Sequence, residues 1–429
     1  MVAQIVKMVN LAMLHIGDKN MNNNNLRNGS LPRDIKKKNT SEIFRAMMGE
    51  RDFSASYISE KTHISRLTVS KVIEEFCDMG IVIPVGKGNS TKVGGKRPNQ
   101  YALNNKKYVI VVLGTIYLPY YGLLSLDGTV RITYGGRVRH NYDYNQYIEI
   151  LANSIDKTLF DNSIESSDVL GIVLANGGII ADNKRVVFNS NNPEWGNNLN
   201  IADDLKKQLK HNIDVYVENA AKIAANAFSS CDKFIGKKSA VLFVEYGISI
   251  ILMEDGKVLE SAHNVTGELG HMCLEPSDDV VCGCGSKGCF ESLISHDRML
   301  SIIQKLPKKK KDEFMANYNG KDDIRTYILE EEKKGSKVAE QLSDYLAKYV
   351  GLALRNVYLA YDPSIIAIVG NISNGSEAFF NKIKKIITEN RYLKDVEIDF
   401  EIEKRKIIEV ISNGGTNLIL HSTIEGCEE

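Results

Sequence analysis

The sequence predicts an α/β protein in two unequal parts: a small helical head with a hairpin, then a large body of alternating strands and helices. Three observations carry that prediction. Helix-period apolar spacing runs from Thr40 to Phe76 and gives way to two short strand patterns that end at Asn104. From Tyr108 onward strand and helix patterns alternate, as they do when sheets are covered by helices. Charge is also divided, although the whole chain is neutral. Residues 31–104 hold 13 Lys/Arg against 8 Asp/Glu, and residues 105–429 hold 38 against 45. A basic front on an acidic rear suits a head that binds a polyanion.

At 429 residues, 43% hydrophobic and 25% charged, the chain has the composition of a globular protein with more than one core. No stretch reaches the roughly 20 apolar residues that span a bilayer. The apolar opening Met1–Ile16 is broken by Asn10 and His15, and no small-residue cleavage site follows, which excludes a secretory signal. Seven cysteines, three of them within eight residues, do not form an extracellular disulfide framework. A cytoplasmic protein without a membrane partner is expected. Residues 1–36, with the tract Asn22–Asn25, read as a disordered leader.

Residues 37–104 form the expected head. Ile43, Met47 and Met48 mark one helix, and Ser54 caps a second with Tyr57 and Ile58. Ser65 caps a third, whose buried side is Val69, Val72, Ile73 and Phe76, and Gly80 ends it. Ile81–Val85 and Gln100–Asn104 flank a polar Gly/Ser/Lys loop. Three short helices and a hairpin are the order of a winged helix-turn-helix. Operator DNA is then the expected partner of Arg66, Thr68, Ser70 and Lys71 on the third helix. Lys87, Lys92, Lys96 and Arg97 on the wing and its sequel would meet phosphates or an A·T-rich minor groove.

The body divides into lobes over 105–225 and 226–429, with the last helix returning to the first lobe. Strands are expected at Tyr108–Gly114, Gly122–Leu126, Val169–Leu174, Val241–Glu245, Ile248–Met253 and Ile365–Val369. Helices are expected over 146–160, Ala220–Phe228 and Ser336–Ala360. No internal repeat of fixed period is visible. The sharpest local signal is Gly267-Glu268-Leu269-Gly270-His271, followed by Cys282-Gly283-Cys284 and Cys289-Phe290-Glu291. One histidine and three cysteines on a glycine-rich loop match a closed tetrahedral Zn2+ site, His271/Cys282/Cys284/Cys289, and a closed site is structural. Cys273 is expected to pack as a small hydrophobe rather than serve as a spare ligand. Cys77, Cys231 and Cys427 receive no role.

That cassette, framed by Glu268 and Glu291, resembles the signature of the ROK family (repressors, open reading frames and kinases). The winged head and the element Gly94-Gly95-Lys96-Arg97-Pro98 resemble its repressor branch, which includes the xylose and N-acetylglucosamine repressors. The resemblance, running from about Thr40 to the C-terminus, implies a two-lobed actin-like (ribonuclease H-like) sugar-kinase fold. It implies a sugar between the lobes, met by Gly178, Asn191, Asn219, Glu268, His271 and Glu291. It also implies what is missing. The phosphate-binding Asp-x-Gly-Gly-Thr is replaced by Val111-Val112-Leu113-Gly114-Thr115, and the second phosphate loop by Tyr246-Gly247-Ile248-Ser249-Ile250. The nucleotide-side Gly-Gly is Gly370-Asn371, and the catalytic Asp position is Ala220, which cannot take a proton from a hydroxyl. Glu218 stands one residue early and is expected to point elsewhere.

The reading is a homodimeric or tetrameric, sugar-sensing transcription regulator without kinase activity. Two alternatives compete with it: a ROK kinase with unusual phosphate loops, and a regulator that answers to a protein partner and to no sugar. Blander expectations fall on three further features. Trp195 packs in a core rather than walls the cleft, Lys308–Lys311 is a solvated connector, and Lys222 is a surface lysine.

Overall fold

Serine caps and apolar spacing build the head. The computed structural model describes residues 32–48, 50–88, 97–114, 120–126, 130–134, 143–181, 186–189, 195–229, 231–259, 261–320 and 322–426. Helices α1 (Pro32–Met47), α2 (Ala55–Thr62) and α3 (Arg66–Asp78) come first. Ser54 Oγ accepts from the Tyr57 N–H at 3.2 Å and Ser65 Oγ from the Thr68 N–H at 3.2 Å, so each starts its helix. Ile43, Met47, Phe53, Ile58, Val69, Ile73 and Phe76 close a small core beneath them. Strands β1 (Val82–Lys87) and β2 (Asn99–Leu103) pair antiparallel with Val82 opposite Leu103. One boundary differs from expectation. Helix α1 starts at Pro32, inside the segment read as a leader, and proline suits a first helical position because its missing N–H is not needed there.

The first lobe contains β3 (Tyr108–Leu113), β4 (Tyr120–Ser125), β5 (Val130–Tyr134), α4 (Tyr144–Asp161) and β6 (Val169–Asn176). It continues through the short hairpin β7 (Ile179–Ile180) and β8 (Val187–Asn189), α5 (Ile201–Gln208), β9 (Val215–Asn219) and α6 (Ala220–Asn226). Its five-stranded sheet has the order β5-β4-β3-β6-β9. Strand β3 runs antiparallel to β4 and parallel to β6.

The second lobe repeats that plan. It comprises β10 (Lys238–Val244), β11 (Ile248–Glu254), β12 (Lys257–Val258), α7 (Phe290–Ile294), α8 (His296–Gln304), α9 (Lys308–Met315), α10 (Ile324–Lys333), α11 (Lys337–Tyr361), β13 (Ile365–Gly370), α12 (Glu377–Thr388) and β14 (Phe400–Ile402). Its sheet order is β12-β11-β10-β13-β14, with β10 antiparallel to β11 and parallel to β13. The lysine run 308–311 opens a short helix anchored by buried Phe314, with Lys308, Lys309 and Lys310 exposed.

The chain ends in α13 (Ile407–Gly426), which leaves the second lobe and packs on β3, β4 and β6 of the first, on α6, and on α1 of the head. The crossing of α13 and α6 is backbone to backbone: a Cβ at Gly414 would lie 1.8 Å from the Ile223 carbonyl oxygen. Through this contact the head core, the inner face of the first sheet and α6 join one continuous apolar cluster, which also includes Val241, Ile251 and Val369 of the second sheet.

Candidate metal centre and ligand cleft

His271 is presented by a 3-10 turn, Glu268–His271, that leans on β11. Gly270 makes the approach possible, because a Cβ there would sit 1.9 Å from the Ile248 carbonyl oxygen. The Cys282 N–H donates to the Ser286 carbonyl at 2.8 Å and the Gly285 N–H to the Cys282 carbonyl at 2.9 Å, folding a tight loop. Cys289 stands at the start of α7, and the Phe290 N–H ties it to the Met272 carbonyl at 2.9 Å.

These restraints bring together the four residues expected as metal ligands. Their ligand atoms lie within 4.8 Å of one another. Cys282 Sγ is 3.4 Å from His271 Nδ1, and Cys284 Sγ is 3.7 Å from Cys289 Sγ. Burial raises the Cys282 thiol, and burial with the neighbouring Cys284 raises Cys289 to about 12. For Cys284 burial also pulls upward, but hydrogen bonds with Ser286, Cys289 and Cys282 together outweigh it and lower the thiol. Two hard-to-ionise thiols converging with a third and an imidazole are a donor set that a thiophilic dication can hold by displacing protons. The residues fit such an ion. Cys273 is not among them, and it is exposed rather than packed as a hydrophobe.

The histidine's other nitrogen, Nε2, is 3.8 Å from Glu268 Oε2. Burial raises the Glu268 carboxyl, while the His271 charge draws it down. Glu291 Oε2 accepts from the Ile248 N–H at 2.8 Å, which holds that carboxylate at the same edge. On the first-lobe side Asn219 Nδ2 donates to the Gly178 carbonyl at 3.1 Å. Asn219 Oδ1 accepts from the Ala221 and Lys222 N–H groups and so caps α6. The expected sugar residues thus form two groups, Glu268/His271/Glu291 and Gly178/Asn219. Asn191 lies outside the described residues. Glu218 is buried, and its carboxylate accepts its own neighbour's N–H at 2.8 Å.

Lys222 overturns an expectation. It is buried, at 9% exposure, not a surface lysine, and its charge draws the Glu268 carboxyl down. Apolar neighbours on α6 at Ala221, Ile223, Ala224 and Ala225 draw the whole helix inward, lysine included. Trp195 rests half-buried against Tyr147, ring centroids 4.6 Å apart, at the edge of the core of the first lobe's outer face.

Just beyond β10 stands Glu245. Its carboxylate accepts from Asn371 Nδ2 at 3.2 Å, and Asn371 occupies the place of a glycine. Arg325, with no exposed surface, donates to the Glu245 carbonyl at 2.5 Å and to Asp323 at 2.8 Å. Glu245 was missed by reading the sequence, where it is simply the end of an apolar strand.

In the head, α3 turns Val69, Val72, Ile73 and Phe76 inward, which leaves Arg66 and Lys71 exposed and Thr68 and Ser70 half-exposed. The Thr68 hydroxyl is within 2.8 Å of Ser65 Oγ, so the cap engages it. Lys87 and Arg97 are exposed at either side of the hairpin tip, and Lys92 and Lys96 lie outside the described residues. Leu67 is 83% exposed on the same outer face of α3. Its sequence signal was available, since it falls out of phase with the buried positions.

Comparison with known proteins places this arrangement. The chain is 26% identical over 381 residues to the xylose repressor of Caldicellulosiruptor bescii, covering 87% of this chain and 93% of that one. It is 24% identical over 371 residues to the xylose repressor of Bacillus subtilis, covering 83% and 88%. The crystal structure of a ROK family transcriptional regulator, a homologue of the E. coli MLC protein, matches with a TM-score of 0.69 at 19% identity, over 91% of this chain and 100% of that one. A ROK family glucokinase from Streptomyces griseus, in complex with glucose and AMPPNP, matches with a TM-score of 0.59 at 19% identity, over 72% and 98%. The body therefore has the two-lobed, actin-like sugar-kinase fold of those structures. The ROK family profile covers residues 131–420, and with that match over most of the body, the chain belongs to the ROK family.

Proposed function

We propose that this chain is a DNA-binding transcription regulator of carbohydrate metabolism, a repressor that senses a sugar in a cleft unable to phosphorylate it. The observation that carries the reading is α3: a helix with one buried apolar face and an outer face of Arg66, Leu67, Ser70 and Lys71. It precedes a kinase-like body whose catalytic position is Ala220. The regulator structure matches 91% of this chain and the glucokinase structure 72%, so the likeness that includes the head is to a regulator. The xylose repressors likewise match over 87% and 83% of the chain.

In this reading α1–α3 and the hairpin are a winged helix-turn-helix. Arg66, Thr68, Ser70 and Lys71 enter the major groove, while Lys87, Lys92, Lys96 and Arg97 meet phosphates and the minor groove. A homodimer in the cytoplasm presents two heads to a pseudo-palindromic operator. Zn2+ held by His271, Cys282, Cys284 and Cys289 is structural, because four protein ligands fill its tetrahedron. It fixes the imidazole so that Nε2 can face a sugar hydroxyl together with Glu268 and Glu291. Asn219 keeps one amide hydrogen for the ligand, the other being spent on Gly178.

Sugar binding reaches the head through α6, which starts at Asn219 and crosses α13, and through α13, which touches α1. Closure of the lobes moves α6, and the differential affinity of the sugar for the closed state sets the size of the response. The test is retention of DNA fragments selected from a random pool, in a gel-shift assay. Wild type should retain them, and Arg66→Ala with Lys71→Ala should not; equal retention by both overturns the assignment of α3.

A further inference from the structure

Cys273 has no task in the reading above, although it stands beside the metal centre. It is exposed, and it is not one of the four residues whose ligand atoms lie within 4.8 Å of one another. Its backbone is nonetheless locked to that of a ligand. Cys273 and Cys289 form an antiparallel bridge. The Leu274 N–H donates to the Gly288 carbonyl at 2.8 Å and the Phe290 N–H to the Met272 carbonyl at 2.9 Å. Both bonds come from the residues that flank the two cysteines. That pattern defines a non-hydrogen-bonded pair, the closer of the two kinds, with Cα atoms about 4.5 Å apart and side chains on one face. Gly288 lets the segments approach: its φ is +68°, and a Cβ there would lie 2.0 Å from the Glu275 carbonyl oxygen.

A disulfide asks for Cα atoms roughly 4.4–6.8 Å apart, so this pair can be bridged without moving the backbone. Rotation of Cys273 about its Cα–Cβ bond is the movement required. The two sulfurs differ in access. Cys289 has no exposed surface and cannot meet a dissolved oxidant, whereas Cys273 is open to one. The outer thiol can therefore take the oxidant and hand the oxidation to its neighbour. Cys284 is exposed too, with its Sγ 3.7 Å from Cys289 Sγ. Its sulfur is spent as a metal donor, while that of Cys273 is not.

We infer that Cys273 and Cys289 are an oxidation site, a thiol pair that hydrogen peroxide converts to a disulfide, opening the metal centre. The Cys273 thiolate attacks one peroxide oxygen, the O–O bond breaks, and hydroxide leaves as water by taking a proton. The sulfenic acid left on Cys273 is then attacked by the Cys289 sulfur. The S–S bond forms, the S–O bond breaks, and the second hydroxide leaves as water. Two thiols lose two electrons and two protons, and one peroxide becomes two waters. A sulfur in a disulfide is no longer a thiolate donor, so His271, Cys282 and Cys284 remain where a closed tetrahedron needs four. The inference rests on the metal reading and adds its regulation: oxidation frees the imidazole held beside Glu268.

The experiment starts from full-length, reduced, zinc-loaded protein treated with hydrogen peroxide. Peptide mapping without reduction should recover Cys273 joined to Cys289, and a chromogenic chelator should register about one zinc released per chain. Dithiothreitol with added zinc should reverse both changes. Cys273→Ser, at an exposed position, should keep the wild-type Tm and release its zinc roughly tenfold more slowly at the same peroxide concentration. If the recovered peptide joins Cys284 to Cys289, or if Cys273→Ser loses zinc as fast as wild type, the inference is overturned while the metal centre stands. If the reduced protein holds no zinc before peroxide is added, the metal reading fails first and takes the opening of the centre with it.

Discussion

The two five-stranded sheets of the body share one strand order and carry opposite chemistry. On the second sheet the loops around β11 assemble a metal-ligand cluster and two carboxylates, held by many local hydrogen bonds. On the first sheet the corresponding edge ends in α6, which opens with Ala220 and buries Lys222. The first lobe, not the second, lies against the head: α13 joins α6, β3 and α1. In the function proposed above, the two lobes divide the work: the second would grip the ligand, and the first would pass that grip to the head through α6 and α13. A kinase needs reactive groups on both edges; a sensor needs them on one and a mechanical path from the other.

The largest expected effect tests the gripping lobe. Elemental analysis should return about one zinc per chain. Cys289→Ser should lose it and lower the Tm by roughly 10 °C, because the loop from His271 to Cys289 has little apolar content to hold it. A metal-free variant of full stability breaks the comparison at its first term.

Next comes the lock behind that lobe. Asp323 pairs with Arg325, which is wholly buried and bound to the Glu245 carbonyl. Burial alone raises the Asp323 carboxyl, but the Arg325 charge and hydrogen bonds outweigh it and hold the carboxyl far below the usual aspartate range. A carboxylate with a depressed folded value lends stability above the unfolded value of about 4 and loses it as the pH falls further. Asp323→Asn should cost about 3–5 kcal/mol at neutral pH by leaving a buried guanidinium unpaired. It should also flatten the acid limb of the stability profile below about pH 4. An unchanged acid limb in chemical denaturation would show that Arg325 is held by its carbonyl partners alone.

The conducting lobe is probed at Gly414, where an added Cβ meets the Ile223 carbonyl at 1.8 Å. Gly414→Ala must push α6 and α13 apart, at about 1–3 kcal/mol. The expected readout is specific: DNA retention persists, and its response to the bound ligand shrinks severalfold. DNA retention with an undiminished ligand response contradicts the assigned path.

Much of this was legible because local chemistry announced it. Ser54 and Ser65 signalled their helices, and the Cys/His spacing signalled a cluster whose members the fold does bring within 4.8 Å. What stayed hidden depends on partners distant in the chain. The repeated strand order leaves no sequence period, because the helices between the strands differ in number and length from lobe to lobe. Lys222 reads as a surface lysine until both sheets close on α6. Cys273 reads as a small hydrophobe, yet it lies exposed. Glu245 gains meaning only from Asn371, 126 residues further along the chain.

The smallest expected effect lies in the head and separates contact from coupling. Leu67 is 83% exposed, so Leu67→Ala removes almost no buried surface and should leave the Tm within about 1 °C. An exposed leucine beside Arg66 on the outer face of α3 is suited to the methyl group of a thymine, the one apolar feature of the major-groove edge. Its truncation should cost about 1 kcal/mol of operator affinity, roughly fivefold, and relax the preference at a single base pair. Because Leu67 touches neither α13 nor the cleft helix, the ratio of DNA affinities with and without ligand should stay as in wild type. Binding selections on randomised sites, run with and without ligand, read both quantities at once. A changed ratio with unchanged base preference would mean that α3 belongs to the conducting path, and the division between gripping and conducting lobes would have to extend into the head.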